Sequence, residues 1–376
     1  MARPEENTMR RALTATALTA ALTAAVAATA LAPAATAATA PRPHGLQAAA
    51  EGLVAAGQPG AIIMARRGER VAHATAGVAD QATGARMDPR LYFRIASVTK
   101  TFTATVLLRL VAERRLSLDD TVERRLPGLV RGNGNDGRKI TVRDLLGHTS
   151  GLADYVQDPR IQSEPRRDWT PAELVAIALE KPPSRTARYS NTNYILAGMI
   201  IEKVTGRAFA AEVRDRILRP LKLRRTSLPA DRFFPGPYVH GYWGDYGDVS
   251  TEVSPSSGWT SGGMVSTVDD VARFHRALFT GRLLPRGLQR EMTATRKVMD
   301  GDVRYDYGLG VSRQRLSCGT AWGHDGGWPG YRTWTYTSAN GKRQAVITYN
   351  QSSAELEARP DFQAALRKAA EKAFCG

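Results

Sequence analysis

Phe93-Arg94-Ile95-Ala96-Ser97-Val98-Thr99-Lys100 is the stretch from which the rest of the chain is read. From Ser97 to about Arg115, Val98, Phe102, Val106, Leu107, Leu110 and Val111 recur at three- and four-residue steps, which predicts a helix with one buried face. That register sets Ser97 in the first turn and Lys100 one turn later on the same side. A serine hydroxyl is a weak nucleophile until a neighbouring base takes its proton. A lysine three residues on can be that base if burial disfavours its ammonium form. The unpaired N–H groups of a first helical turn also favour a developing oxyanion. Read blandly, the same letters are an N-cap serine and a surface lysine, so the motif needs company.

Outward from this segment, strands flank helices. Gly60 to Gly68 and Arg70 to Ala74 read as two strands joined by a tight turn at Gly68-Glu69. Helices are predicted from Ile140 to a stop at His148-Thr149-Ser150-Gly151-Leu152, from Pro171 behind a Thr170 cap, from the Tyr189–Tyr194 segment through Ile195, Leu196, Met199, Ile200 and Val204 to Gly206, over Phe209 to Leu218, and behind Thr267 through Leu278. Asp231 to Trp259 is rich in aromatics, glycine and proline, and reads as a long loop near a site. Tyr307–Val311, Thr320–His324, Tyr331–Tyr336 and Gln344–Tyr349 read as strands of an antiparallel meander, with a hairpin at Asn340-Gly341 and a last helix from about Arg359 to Phe374. The fold class expected is α+β: an antiparallel sheet built from N- and C-terminal strands, with an inserted all-helical lobe over roughly 118–260.

The chain has 376 residues, 52 Lys and Arg against 36 Asp and Glu, and a formal charge of +16. Arginines scattered along it, with no zinc-finger spacing, RNP-like aromatic cluster or basic helix, argue for an anionic surrounding such as a cell wall and not for a nucleic-acid site. Residues 1–40 read as a secretory leader: Arg10 and Arg11, an uncharged run from Ala12 to Ala34, and small residues for cleavage near 37–40. The expected product is a secreted domain over 41–376, without a lipid or membrane anchor and monomeric. Cys318 and Cys375 are the two cysteines, and in an oxidising compartment an even pair is most simply a disulfide, two free buried thiols being the alternative. Such a link would contribute about 4 kcal/mol on the loop-entropy view.

Two further polar clusters stand out. In Tyr189-Ser190-Asn191 a phenol could shuttle a proton between serine and leaving group if cations lower its pKa, and Asn191 could hold the lysine or a substrate amide. In Gly323-His324-Asp325-Gly326-Gly327 the glycines let a substrate backbone lie beside a strand, and the Gly327 N–H could complete an oxyanion hole with that of Ser97.

In this order the three clusters resemble the serine β-lactamase and penicillin-binding-protein family, with the class C lactamases and secreted D-alanyl-D-alanine carboxypeptidases as the nearest branch. Phe93 to Lys100, Ile140 to Arg143, His148 to Leu152, Tyr189 to Tyr194, Tyr307 to Gly310, Leu316 to Gly319 and the Ala373–Gly376 end carry the resemblance, which spans Leu46 to Gly376. It implies helices on both faces of the sheet and no metal or other cofactor. It also implies Ser97 as acyl-forming nucleophile, Lys100 as its proton partner, Tyr189 as general acid/base and Asn191 as a substrate and lysine contact. His324 would be a second cationic or hydrogen-bonding group facing Tyr189, and Trp259 would wall the cleft. The activity implied first is D-Ala-D-Ala carboxypeptidase on peptidoglycan peptides, with β-lactams as covalent inhibitors or substrates. A β-lactamase, an esterase or D-aminopeptidase, and a penicillin-binding wall protein without turnover are the other readings.

The sequence departs from the carboxypeptidases where they grip a free carboxylate. Threonine positions read Asp325 and Gly327, and the position of an arginine before the cysteine reads Ser312, beside Arg313. A carboxylate at Asp325 would repel a C-terminal carboxylate, welcome an ammonium and hold His324 protonated to higher pH. No Gly-x-Ser-x-Gly elbow or His-Glu-x-x-His pair points to another hydrolase mechanism.

Overall fold

The computed structural model describes residues 44–376, so the leader expected over 1–40 lies outside the described residues. Helix α1 (His44–Ala55) precedes the hairpin β1 (Gly60–Arg67) and β2 (Arg70–Gly77), which turns at Gly68-Glu69 as read. Then come α2 (Thr99–Ala112), α3 (Asn191–Thr205) and α4 (Val268–Phe279). The C-terminal strands are β3 (Arg296–Asp300), β4 (Val303–Tyr307), β5 (Ser312–Leu316), β6 (Gly319–Gly323), β7 (Asp325–Trp328), β8 (Tyr331–Thr337) and β9 (Arg343–Tyr349). Helix α5 (Pro360–Phe374) ends the chain.

The strands form one antiparallel sheet in the order β2-β1-β9-β8-β6-β5-β4-β3, with β7 also paired to β8. Strand β1 therefore lies between β2 and the last strand, Ala61 opposite Tyr349 and Arg67 opposite Arg343. Its side chains alternate between two cores, as a two-residue period requires. Ala61 and Ile63 pack with α1 and α5 residues such as Leu53 and Phe362, while Ile62 and Met64 join the larger core with Phe102 and Phe274. Helices thus cover both faces of the sheet. The disulfide Cys318–Cys375 spans a Cα–Cα distance of 5.5 Å and ties the end of α5 to the β5–β6 turn.

Between β2 and β3 the chain is mainly helical and irregular, but not all-helical as expected of the inserted lobe: Arg131–Gly132 pairs with Asn135–Asp136 in a short hairpin within it. Thr141 and Asp144, and Thr170 and Glu173, form the reciprocal caps of the helices starting at Val142 and Pro171. Helix α3 ends at Gly206 in the left-handed conformation.

Two readings need correction. Tyr307–Val311 is not a strand: β4 ends at Tyr307, and the chain turns through Gly310 at φ +79° before β5 begins at Ser312. The hairpin β3–β4 instead precedes it, at an edge of the sheet. Nor is α2 buried on one face only. Ser97 sits in a short 3₁₀ turn, Ala96–Val98, and every residue of α2 from Thr99 to Leu108 is buried. Its threonines pass for a polar face in sequence, yet their hydroxyls are absorbed by carbonyls: Thr101 donates to Gly310 O (2.7 Å), Thr103 to Thr260 O (2.7 Å) and Thr105 to Thr101 O (2.7 Å).

Candidate active site

Ser97 is presented by a strained turn. Ala96, the residue before it, has φ +48°, a conformation that costs an L side chain about 1–2 kcal/mol and is held only when the surroundings fix it. They do so here: Ile95 N–H donates to Met264 O (3.1 Å), and Phe93-Arg94 pair with Val265-Ser266. Strand β7 lies against the other side, so close that a Cβ on Gly326 would come within 2.3 Å of the Ile95 carbonyl oxygen. Gly326 must therefore be glycine, and its neighbour Gly327 opens onto the same cavity as Ser97.

Lys100 Nζ sits inside this corner, fully buried, and donates to Ser97 Oγ (3.0 Å), Asn191 Oδ1 (2.7 Å) and the Ser261 carbonyl (2.8 Å). The Asn191 orientation is fixed because its Nδ2 donates to Asp154 Oδ2 (2.9 Å). Burial pushes the Lys100 pKa down to about 7, against the opposing pull of Asp154, Asp300 and Asp325. Of the three groups around the amine, Asn191 Oδ1 and the Ser261 carbonyl can only accept. A neutral Lys100 must therefore aim its lone pair at the one partner that can turn round and donate, the Ser97 hydroxyl.

Tyr189 completes the corner. Its ring centroid is 4.8 Å from Lys100 Nζ, and its backbone N–H donates to Met299 O (2.8 Å), which joins the helical lobe to β3. Burial raises its pKa well above the ordinary phenol value, with the hydrogen bond to Ser97 pulling the other way. The cation-lowered phenol expected from the sequence is thus corrected: Tyr189 is a neutral phenol, and the base with the accessible pKa is Lys100. His148 packs against Tyr189 with its ring tilted by 32°, 4.2 Å between centroids, and accepts from Ser190 N–H through Nδ1 (3.2 Å).

His324 also departs from expectation. It is buried, and burial followed by the nearby Lys100 charge pushes it down to about 3, so it is neutral. Its Nδ1 lies 2.5 Å from the Asp325 carbonyl oxygen and its Nε2 2.8 Å from the Tyr307 hydroxyl. Asp325 influences the ring through its backbone, not through a carboxylate that would keep it charged. The ring stands 6.2 Å from that of Tyr189, as a hydrogen-bonded prop and not a cation. Trp259 does not wall the cleft; at the start of a short helix, it packs edge-to-face on Phe209 (6.2 Å). Indoles in the cleft belong instead to Trp243 and Trp328.

The cavity, about 430 Å³, is lined by Ser97, Tyr189, Asn191, His324, Asp325 and Gly327, which the sequence singled out, and by acidic groups it did not. Asp154 accepts from Asn191 N–H (3.1 Å) and is a half-buried carboxylate whose pKa is raised by desolvation. Asp300 is raised by burial and then by Asp325, and Asp325 is raised by burial while Arg332 and Lys100 oppose. Arg332 Nε donates to Glu357 Oε1 (2.6 Å) and Nη2 to Glu357 Oε2, so that guanidinium is already paired. Neither Ser312 nor Arg313 reaches the cavity: Ser312 donates to Gly323 O (3.3 Å) and Arg313 to Asp306 Oδ2 (3.0 Å). Asp154 follows the His148–Leu152 segment without any local mark that separates it from other turn acids. Asp300 belongs to the β3–β4 hairpin, where an Asp-Gly pair reads as a turn.

Comparison with known proteins agrees with this geometry. Residues 46–370 match the beta-lactamase family. The sequence is 27 % identical to penicillin-binding protein 4* of Bacillus subtilis (strain 168), over 84 % of this chain and 72 % of that protein. The structure superposes on a D-stereospecific amidohydrolase from Streptomyces with a TM-score of 0.79 and 41 % identity, covering 89 % of this chain and 99 % of that one. It also superposes on the D-amino acid amidase of Ochrobactrum anthropi SV3, TM-score 0.78 and 29 % identity, covering 88 % and 97 %. The chain belongs to the beta-lactamase family, as a serine hydrolase related to penicillin-binding proteins and D-amino acid amidases.

Proposed function

We propose that this protein is an exported amidohydrolase that cleaves small D-amino-acid amides or esters bearing a free amino group, through an acyl-enzyme on Ser97. The observation that carries the substrate class is the pair Asp300 and Asp325, two carboxylates with raised pKa in one cavity, Asp300 at its exposed rim and Asp325 deeper, beside an arginine already engaged by Glu357. A substrate ammonium would relieve their mutual repulsion, whereas a free carboxylate would add to it. That weighs against D-Ala-D-Ala carboxypeptidase, which needs a cation to receive the peptide terminus. The D configuration is supported by the likeness to the Streptomyces and Ochrobactrum enzymes. Export is supported by the charge and apolar pattern of residues 1–40.

In this reading Ser97 Oγ attacks the substrate carbonyl carbon as its proton passes to neutral Lys100. The carbonyl oxygen takes up the negative charge beside the N–H groups of Ser97 and Gly327. Collapse breaks the C–N or C–O bond, and the leaving group takes a proton through the Tyr189 phenol from Lys100. Water then attacks the ester on Ser97 by the same relay, returning the serine and releasing the acid. Asn191 holds the lysine, Asp154 holds Asn191, and His324 props the strand end.

A substrate panel tests this: D-phenylalanine amide, its N-acetyl derivative, D-phenylalanine methyl ester, diacetyl-Lys-D-Ala-D-Ala and nitrocefin. Turnover of the free-amine amide and ester, with a large loss of kcat/KM on N-acetylation, is expected. Preference for the N-acetyl amide or for the peptide ending in a carboxylate would overturn the assignment.

A further inference from the structure

Arg94 is a large cation in an unusual place. It is 1 % exposed, and among the described residues no carboxylate comes within ion-pair distance, Asp231 acting on it only through its more distant charge. One guanidinium nitrogen, Nη2, donates to Arg232 O (2.6 Å) and Ser250 O (3.2 Å), while Nε and Nη1 are buried without a hydrogen-bond acceptor. Those unsatisfied donors belong to a guanidinium placed over two aromatic rings, 4.9 Å from the Phe234 centroid and 5.2 Å from that of Trp328. Cation–π attraction is strongest where water is excluded, as here.

The two ends of the Arg94–Trp328 contact are close in sequence to the two proposed oxyanion donors. Arg94 is three residues before Ser97, and Trp328 follows Gly327 directly. The indole also meets the turn that holds the lysine: a Cβ on Gly258 would come within 2.6 Å of the ring, and one on Gly262 within 3.8 Å. Gly262 follows Ser261, whose carbonyl accepts from Lys100. One ring therefore touches the strand of one donor, the cation preceding the other and the turn anchoring the base.

We propose that Arg94 is a positioning residue of the oxyanion site. Acting through the Trp328 indole, it fixes the spacing between the Gly327 and Ser97 N–H groups. The alternative role, pinning the 231–250 loop through the carbonyls of Arg232 and Ser250, would affect substrate entry and stability without tuning the oxyanion. The inference rests on Ser97 as the nucleophile, and not on the choice of substrate.

The test uses D-phenylalanine methyl ester and its thiono analogue, in which sulfur replaces the carbonyl oxygen. Donors spaced for an oxyanion serve a larger, weaker-accepting thiolate poorly, so the oxo/thiono rate ratio reports on the hole itself. Arg94→Met should lower kcat by about 10- to 100-fold with KM within about twofold, and should shrink the oxo/thiono ratio. Arg94→Lys, which keeps a cation, should recover part of both. Trp328→Phe approaches the same contact from the strand and should shrink the ratio even if Arg94→Met does not fold. An unchanged ratio in a folded Arg94→Met or in Trp328→Phe, whatever the rate, would reduce Arg94 to a loop anchor and overturn the proposal. If the wild-type protein turned over neither ester and formed no covalent adduct on Ser97, the hydrolase reading would fail first and this inference with it.

Discussion

On the helical side of the cleft, Lys100 reaches Ser97, Asn191 and the Ser261 carbonyl at 2.7–3.0 Å, and Asp154 holds Asn191 in turn. On the strand side, Asp300 and Asp325 share the cavity with Tyr305 and with an Arg332 that Glu357 has already claimed. The first set is closed: its polar groups satisfy one another and its one lowered pKa belongs to the group that must accept a proton. The second is open: Asp300 is raised by burial and by Asp325, Asp325 is raised by burial, and the nearby Arg332 is already engaged by Glu357. A closed set suits bond-making and an open one suits a ligand. Reaction and recognition should therefore respond to different substitutions.

The largest expected effect is on the closed set. Ser97→Ala should abolish the acyl-enzyme, and Lys100→Met should lower the acylation rate by about 10²–10⁴-fold, measured by stopped-flow with a chromogenic ester. Near-normal acylation in Lys100→Met would remove the lysine from the mechanism. Next comes the open set: Asp325→Asn or Asp300→Asn should raise KM for D-phenylalanine amide by about 10- to 100-fold with a smaller change in kcat. A change confined to kcat would blur the division between the two sides.

The pH profile sharpens it further. Lys100 must be neutral to act, so kcat/KM should rise with pH through an apparent pKa near 7. The Asp154 carboxylate favours the ammonium form, so Asp154→Asn should let Lys100 lose its proton more easily and move that rise to lower pH. A rise moved to higher pH would contradict the assignment of the base. The smallest effect on catalysis belongs to the disulfide: Cys318→Ser with Cys375→Ser should cost about 4 kcal/mol of stability in denaturant while leaving kcat/KM unchanged at low temperature.

Legibility in the sequence followed the same division. Ser97, Lys100, Tyr189 and Asn191 were readable because helix register and a caps-rich turn constrain them locally, and their order along the chain is itself a signature. The sheet from both termini was readable because β1, β8 and β9 are apolar strands punctuated by Gly68-Glu69 and Asn340-Gly341. The acidic side was not. Asp154, Asp300 and Glu357 lie in a loop, at a hairpin and on a short helix, and only the tertiary fold brings them to one cavity. Trp259 misled for a related reason: an aromatic beside small residues reads as a cleft wall, but nothing local says which way the ring turns, and it turns to Phe209. The charge of His324 was equally out of reach, because burial depends on the packing of β7 against the Ser97 turn.

A covalent bond to one oxygen, Ser97 Oγ, decides whether this cavity is an active site. Incubating the protein with a labelled penicillin, or with a D-amino-acid ester under acid quench, and mapping the adduct by peptide mass spectrometry measures it directly. The added mass should sit on Ser97 and disappear in Ser97→Ala. An adduct on any other side chain, or none in a protein that still hydrolyses the ester, would contradict the role of Ser97.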